Sequence, residues 1–185
     1  PFALQAKYVA VNELALNQKA IEKIASIGSE LEEKTGVIAQ VIATSDTIGR
    51  GESLYDYAKQ TVTIDQNKLV LIVAPQSKRI GVVAFDKALE QGLDKNTIYD
   101  YAIGVIATKD DENTIEKYNV GVVQAYSELA DQVAKKSNIE LNNTIANDTT
   151  NTIDILRIIV YAGTAVIIYA MLIRPILNRR KRSKG

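Results

Sequence analysis

The chain has 185 residues, with 22 basic and 22 acidic side chains and no cysteine, histidine or tryptophan. This length allows one core domain with an appendage. The missing residue types exclude disulfides, thiolate metal sites, thiol nucleophiles and serine–histidine triads, so a bound metal would be a hard cation such as Ca²⁺ or Mg²⁺, held by oxygen atoms.

The first predicted elements are an amphipathic helix and a buried strand. Apolar residues at spacings of three and four place one apolar face on residues 17–34. Asn12 or Asn17 can cap the start of this helix, and Gly36 stops it. The β-branched run at residues 37–44 is typical of a strand that is buried on both faces.

The later elements alternate between helix and strand. Two apolar runs separated by a short turn predict a hairpin of strands at residues 69–74 and 79–85. Three helices are predicted at residues 53–60, 86–106 (with a break at Gly92) and 113–136. Together these elements predict an α/β fold with a small sheet of three or four strands flanked by helices. The pattern does not locate a fourth strand.

A polar stretch follows the predicted domain of residues 1–138. Residues 139–154 are rich in Asn and Thr and predict a stalk. The stretch contains an N-glycosylation acceptor pattern at Asn142 and another at Asn147. The first, in ELNNT, resembles the extended acceptor of some bacterial periplasmic glycosylation systems, so Asn142 is the candidate. The alternative is a chance match in an Asn- and Thr-rich stretch.

An uncharged run near the C-terminus predicts one transmembrane helix. Residues 158–173 carry no charge, and with their neighbours they give a span at residues 155–177, since a membrane helix needs about 20 apolar residues. Tyrosines near both ends favour the two membrane interfaces. The alternative is a buried core helix. The predicted anchor and its flanking cations are Ile158, Tyr161, Tyr169, Ile173, Arg174, Arg179, Arg180, Lys181 and Arg182.

The charge distribution predicts the orientation of this span. Residues 1–156 hold all 22 acidic groups, whereas residues 174–185 hold six cations and no acid. Lys and Arg favour the cytoplasmic side, so we expect the basic tail at residues 178–185 inside a bacterial inner membrane and the domain in the periplasm. Attraction to anionic lipids accounts for the cations of the tail. Nucleic-acid binding is the alternative for these cations, but the acidic residues of the domain would repel nucleic acid. The expected partners are therefore the bilayer and an integral membrane complex, with no nucleic acid.

The single methionine, Met171, agrees with this orientation. We expect that Pro1 is not a translation start and that the sequence is either a processed precursor or a truncated one. Processing is the expectation for an exported protein, because removal of a signal peptide takes the initiator methionine with it.

A short internal similarity links two of the predicted helices. SLYDYA at residues 53–58 matches TIYDYA at residues 97–102. The functional interpretation is a pair of Tyr/Asp sites. The structural interpretation, which we favour, is two capped helices that pack on a sheet.

Two stretches carry a resemblance to a known family. LEEKTGVIAQVIATSDTIGRGESLYDYAKQ places Thr35-Gly36 at a helix end and Ser53, Leu54, Tyr57 and Ala58 at the next helix start. This resembles the opening of TPM domains, the module of thylakoid-lumen phosphatase-like and photosystem-repair proteins. NKLVLIVAPQSKRIGVVA and YNVGVVQAYSELADQV resemble the family's later strands and closing helix.

The resemblance covers roughly residues 8–138, with one departure. The family's W-G-I-G-like segment between helix and strand is replaced here by TVTIDQNK. The resemblance implies an extracytoplasmic α/β domain with a signal peptide and a C-terminal anchor. For some members it also implies phosphatase activity.

Phosphatase chemistry would require carboxylates that hold a metal able to activate water. The candidate ligands are Asp46, which follows the first buried strand, and the run Asp110, Asp111 and Glu112. Loops at strand ends are where α/β folds place ligands. The alternative for the acidic run is that it opens the last helix, where carboxylates complement the helix dipole.

Three functions remain compatible with these residues. The expected function is a membrane-anchored periplasmic interaction module that serves the assembly or repair of a larger membrane complex, because catalytic residue types are scarce and an anchor is predicted. One alternative is a metal-dependent phosphatase of the TPM type. The other is a purely structural single-span subunit, whose small residues Ala162, Gly163, Thr164 and Ala165 favour close helix packing.

Overall fold

The computed structural model describes residues 7–106 and 114–145, and for residues 104–106 the backbone alone. The strands are β1 (Val9–Asn12), β2 (Ile38–Ala43), β3 (Lys68–Ala74) and β4 (Arg79–Ala84). The helices are α1 (Gln18–Thr35), α2 (Leu54–Thr61), α3 (Lys87–Glu90), α4 (Lys95–Ile106) and α5 (Thr114–Lys136), with a 3₁₀ turn at Pro75–Ser77.

The four strands form one mixed sheet in the order β1-β2-β3-β4. The pairs β1–β2 and β2–β3 are parallel, and β3–β4 is the antiparallel hairpin that the sequence predicts. The predicted α/β class with a small, helix-flanked sheet is confirmed. The fourth strand is β1, which has four residues and an irregular register between Val9 and Val11. A strand this short and irregular gives no clear alternation of apolar and polar residues, so the sequence pattern did not locate it.

Local signals at the helix ends agree with the prediction. The side chain of Asn17 accepts a hydrogen bond from the backbone in the first turn of α1, at 2.9 Å, and Ser53 caps α2 in the same way at 3.4 Å. Gly36 ends α1 with a left-handed backbone, φ 73°. Gly92, with φ 81°, separates α3 from α4. Positive φ values favour glycine, which explains both breaks.

Helices cover both faces of the sheet. Every residue of β3 is buried, as expected for a strand with cover on each side. On one face, Ile24 of α1, Ile98 of α4 and Leu129 of α5 share a core with Val41 and Leu71. Burying one such side chain completely contributes about 1.5–3 kcal/mol.

The other face is covered by α2. Ala58 of this helix packs in a smaller core with Ile42, Val70 and Ile72. Because α2 has only eight residues, it leaves the loop that precedes it at the edge of this core. That loop forms the candidate site described below.

Two tyrosines of the larger core, Tyr8 and Tyr126, pack closely against Gly28 of α1. A Cβ at Gly28 would lie 2.5 Å from both Tyr126 Oη and Tyr8 Cδ1. Tyr126 Oη donates to the carbonyl of Ala39 at 2.8 Å, and Tyr8 Oη donates to Glu32 at 2.7 Å. Burial, with the neighbouring Glu32 carboxylate, raises the pKa of Tyr8 to about 12. Its hydroxyl therefore remains a donor at neutral pH.

Two side chains accept hydrogen bonds from backbone N–H groups at the outer edge of β4. The backbone N–H of Val82 donates to Tyr99 Oη at 3.2 Å, and the N–H of Ala84 donates to Glu90 Oε1 at 2.8 Å. An edge strand with free N–H groups is a template for pairing with another chain. Tyr99 and Glu90 close that template at two positions.

Residues 139–145, which the sequence assigns to the start of the stalk, pack against the domain. Ile139, Leu141 and Ile145 are partly buried against the larger core. The N–H of Ile145 donates to Ser127 Oγ at 2.7 Å. The compact N-terminal unit of the chain correspondingly ends at Ile145.

A buried carboxylate holds this segment, in an arrangement we call the Glu30 clamp. The backbone N–H groups of Asn142 and Asn143 donate to the two oxygens of Glu30 at 2.7 and 2.8 Å. Lys34 Nζ donates to Glu30 at 2.7 Å and to the carbonyl of Glu140 at 2.8 Å. Burial opposes ionisation of Glu30, but these donors outweigh it and lower its pKa to about 2. The clamp therefore uses an ionised carboxylate across the physiological pH range.

Within residues 7–106 and 114–145, no helix has both the length and the apolar content needed to cross a membrane. The predicted span at residues 155–177 and the basic tail at residues 178–185 lie outside the described residues. The same holds for residues 146–154 of the predicted stalk.

The Glu30 clamp generates a prediction about stability and pH. Replacing Glu30 with Gln removes the charge that three donors share, and we expect a loss of about 1–3 kcal/mol of unfolding free energy at neutral pH. In the folded chain the pKa of Glu30, about 2, lies below its ordinary value of 4.5. The clamp is therefore fully stabilising above pH 4.5 and loses its contribution as the pH falls toward 2.

Urea denaturation at a series of pH values measures both effects. The wild-type chain should lose stability across this acidic window more steeply than Glu30→Gln. Glu33→Gln, at an exposed position of the same helix, is the matched control and should behave like wild type. Equal acid sensitivity in Glu30→Gln and wild type would show that the clamp does not contribute.

Candidate functional site

A cleft lies beside the carboxyl end of β2, between the loop of residues 44–53 and α2. Its volume is about 450 Å³. The carboxylates of Asp46, Glu52 and Asp56 line it together with Ser53 and Tyr57, and its described lining includes no basic residue. We call it the acidic cleft. Its position fits the rule that α/β folds place ligands at the carboxyl ends of parallel strands.

Arg79 fixes the outer part of the loop. Its Nη1 donates to the carbonyls of Gly49 and Glu52 at 2.7 and 2.8 Å. The Glu52 carboxylate in turn accepts the N–H of Gly49 at 2.9 Å. Because one half-buried guanidinium holds two carbonyls, the loop keeps a defined shape at the cleft mouth.

A second set of hydrogen bonds joins the carboxyl ends of β1 and β2. Glu13 Oε2 accepts from Thr44 Oγ1 at 2.7 Å and from the N–H of Ser45 at 2.9 Å. The Thr44 hydroxyl and then the Ser45 N–H lower the pKa of Glu13, because both stabilise the ionised carboxylate. Glu13 thus adds a fixed negative charge to this end of the sheet.

Asp46, the predicted ligand that the structure describes, lies in the acidic cleft and has a hydrogen-bond partner there. Tyr57 Oη donates to Asp46 Oδ2 at 2.7 Å and lies 3.1 Å from Thr44 Oγ1. Burial and the Asp46 carboxylate raise the pKa of Tyr57, so its hydroxyl stays protonated and orients Asp46. A metal-binding role for Asp46 remains a prediction.

The other predicted ligands, Asp110, Asp111 and Glu112, lie outside the described residues. In the part of the chain that the structure describes, no three acidic side chains converge in a metal-binding group.

Glu13 was missed because it follows the strand that the sequence pattern did not locate. Its partners lie more than 30 positions away, in Thr44 and Ser45. The available signal was a single acidic residue soon after the short apolar run VAV at residues 9–11, which is too weak to single out a site. Asn142, the glycosylation candidate, has an exposed side chain, and its modification remains a prediction.

The two similar segments occupy different places in the fold. Ala58 of SLYDYA packs in the smaller core, and Ala102 of TIYDYA packs in the larger one on the opposite face of the sheet. Tyr57 lines the acidic cleft, whereas its counterpart Tyr101 packs against the larger core. These positions agree with the structural interpretation of the similarity.

Comparison with known proteins gives a distant structural likeness. No family model matches the chain, and no curated protein matches it at a significant level. The chain is similar to the solution NMR structure of the N-terminal domain of a protein from P. gingivalis, with 20% identity and a TM-score of 0.49. The match covers 69% of this chain and 85% of that one. A likeness of this degree does not establish the family.

The contact between Tyr57 and Asp46 generates a prediction. Tyr57→Phe removes the hydroxyl that donates to Asp46, and we expect a loss of about 0.5–1.5 kcal/mol of unfolding free energy. Chemical denaturation followed by circular dichroism measures the change.

Tyr55→Phe is the matched control on the same helix. The Tyr55 ring is exposed and contacts Phe85 edge-on at 5.7 Å, a contact that survives loss of the hydroxyl. This variant should match wild type within about 0.5 kcal/mol. If both variants had the same stability, the Tyr57–Asp46 bond would have no part in holding the cleft.

Proposed function

We propose that the chain is a membrane-anchored interaction module whose acidic cleft binds a positively charged segment of a partner in a membrane complex. The main support for the proposal is the cleft itself. The described residues that line it include three carboxylates and no basic residue. Its volume of about 450 Å³ falls within the usual range for ligand sites. A lysine or arginine side chain fits the sign of its charge.

The electrostatics of the cleft favour this class of partner. A concave surface with one sign of charge focuses the field and attracts the opposite charge. Glu13, held at the ends of β1 and β2, adds to the same field. Charged surfaces of this kind raise association rates and select partners more than they raise affinity.

The hydrogen bonds around the cleft also support a binding role. Tyr57 orients Asp46, and the N–H of Gly49 orients Glu52. Arg79 holds the loop between them. A site whose groups are already held loses less conformational freedom when a partner binds.

The sequence context supports an extracytoplasmic location. The uncharged run and the cluster of cations after it predict an anchor with the domain outside the cytoplasm. The resemblance of residues 8–138 to TPM domains, which recur with this layout, points the same way. The partner is accordingly expected among the proteins of the same membrane.

Co-purification from mild detergent after crosslinking tests the proposal. The double variant Asp46→Asn/Asp56→Asn keeps the shape of both side chains but removes two charges. We expect about tenfold less recovered partner, which corresponds to about 1.4 kcal/mol of binding free energy. High salt should weaken the association of the wild-type chain.

Asp100→Asn is the matched control, because Asp100 occupies the same place in TIYDYA as Asp56 does in SLYDYA and lies outside the cleft. It should recover the partner as wild type does. Equal recovery with the double variant would contradict a role for the cleft. If recovery instead depended on the identity of residues 155–177, as shown by an unrelated apolar replacement, the single-span structural subunit would be favoured.

A second candidate function is a metal-dependent phosphatase, favoured by the position of Asp46 in a cleft at the carboxyl end of β2, near Ser53. It predicts hydrolysis of phosphomonoesters by the purified full chain in the presence of Ca²⁺ or Mg²⁺. The double variant Asp46→Ala/Asp111→Ala should then lose about 100-fold in rate, because the metal would lose two ligands. Activity that survives both changes rejects this site.

A further inference from the structure

A second concave surface lies on the opposite face of the sheet from the acidic cleft. It is a shallow groove of about 280 Å³ between the first half of α1 and the middle of α5. Its apolar part includes Ala20, Val123, Ile145 and the exposed Val120, and its charged residues are Lys19 and Lys23. We call it the basic groove.

The charges of the basic groove are opposite to those of the acidic cleft. The described residues that line it include two lysines and no acid. Glu116 and Lys117 precede Val120 by one turn of α5 and add no net charge. Glu22, which lies between the two lysines on α1, accepts a hydrogen bond from Gln18 Nε2 at 2.9 Å. Lys19 and Lys23 are one turn apart on α1, so both cations lie along the same side of the helix.

The basic groove also lies where the described domain ends. Ile145 is part of its lining, and the uncharged run begins at Ile158, with 12 residues between them. Thirteen peptide steps reach at most about 45 Å even when fully extended. The domain that carries the basic groove therefore stays within about 45 Å of any membrane that holds the run.

We propose that the basic groove rests on the anionic lipid headgroups of the bilayer that anchors the chain. Lys19 and Lys23 supply the electrostatic attraction, and each lysine near an anionic surface raises the affinity about fivefold. Val120 supplies an apolar contact at the membrane interface. So weak a contact suffices because the short connection keeps the local concentration of the surface high. The inference rests on the anchor of the proposed function.

This arrangement has a consequence for the acidic cleft. The basic groove is formed by α1 and α5, whereas the cleft is formed beside α2, on the other face of the sheet. A domain that rests on its α1/α5 face presents the acidic cleft away from the lipid, where a protein partner can reach it.

The chain offers a clean test because it contains no cysteine. A single spin label is introduced at Val120→Cys, or at Ile64→Cys as the matched control. The two side chains are 56% and 54% exposed, and Ile64 follows α2. The full-length chain is reconstituted in phosphatidylcholine vesicles with or without phosphatidylglycerol. Collisions with membrane-dissolved oxygen and with a water-soluble nickel chelate report the surroundings of each label.

With phosphatidylglycerol present, we expect the label at position 120 to gain collisions with oxygen and to lose collisions with nickel. The label at position 64 should not change. Lys19→Gln/Lys23→Gln should lower the ratio of docked to free domain by about 25-fold, since each lysine contributes about fivefold.

Two outcomes overturn the inference while leaving the proposed function intact. In the first, the label at position 120 remains as exposed to water as the label at position 64 in anionic vesicles that retain the chain. In the second, Lys19→Gln/Lys23→Gln leaves the lipid contact unchanged but removes a co-purifying protein, which would assign the groove to a protein partner. If the full chain is instead washed from the vesicles by alkaline carbonate, the anchor is wrong and both proposals fail.

Discussion

The fold depends on one strand that is buried along its whole length. All seven residues of β3 are shielded from water, and they are almost entirely apolar. A strand of this kind requires apolar cover on both faces of the sheet. Three helices provide it on one face and α2 on the other. The loop at residues 44–53 leaves the carboxyl end of β2, leads to the short α2 and forms the acidic cleft with it.

Electrostatics then give the two faces different characters. On the α2 side, carboxylates are oriented by Tyr57 and by backbone N–H groups. On the α1/α5 side, two lysines border an apolar groove. Arg79 bonds the loop beside the cleft, and Glu22 lies beside the groove lysines. Among the described residues, the lining of the cleft includes acids and no cation, and that of the groove includes lysines and no acid, so each surface favours a ligand of opposite sign. The pairing of these faces is what a domain held between a lipid surface and a protein partner would need.

Features encoded by neighbouring residues could be predicted from the sequence. The period of α1, the caps at Asn17 and Ser53 and the β3–β4 hairpin all depend on residues within a few positions of each other. Asp46 could be proposed because it follows a recognisable buried strand. Its partner Tyr57 could not, because the contact requires α2 to be docked on the sheet.

Long-range contacts account for what could not be predicted. Asn142 meets Glu30 from 112 positions away, and nothing in the periodicity of α1 distinguishes Glu30 from the exposed Glu33. The strand β1 is too short and too irregular to show a period, so Glu13 could not be placed beside Thr44. Such contacts follow from the docking of whole elements, which local propensity does not determine.

The Glu30 clamp has a mechanical consequence. Tension applied to the chain beyond Ile145 first loads the hydrogen bonds to Ser127 of α5 and to Glu30 of α1, so it acts on both helices together. Because Glu30 belongs to α1, which packs on the central strands, the clamp passes the load to the most deeply buried part of the domain. Tension on residues 142–145 is therefore shared between α1 and α5 instead of acting on the C-terminal end of α5 alone.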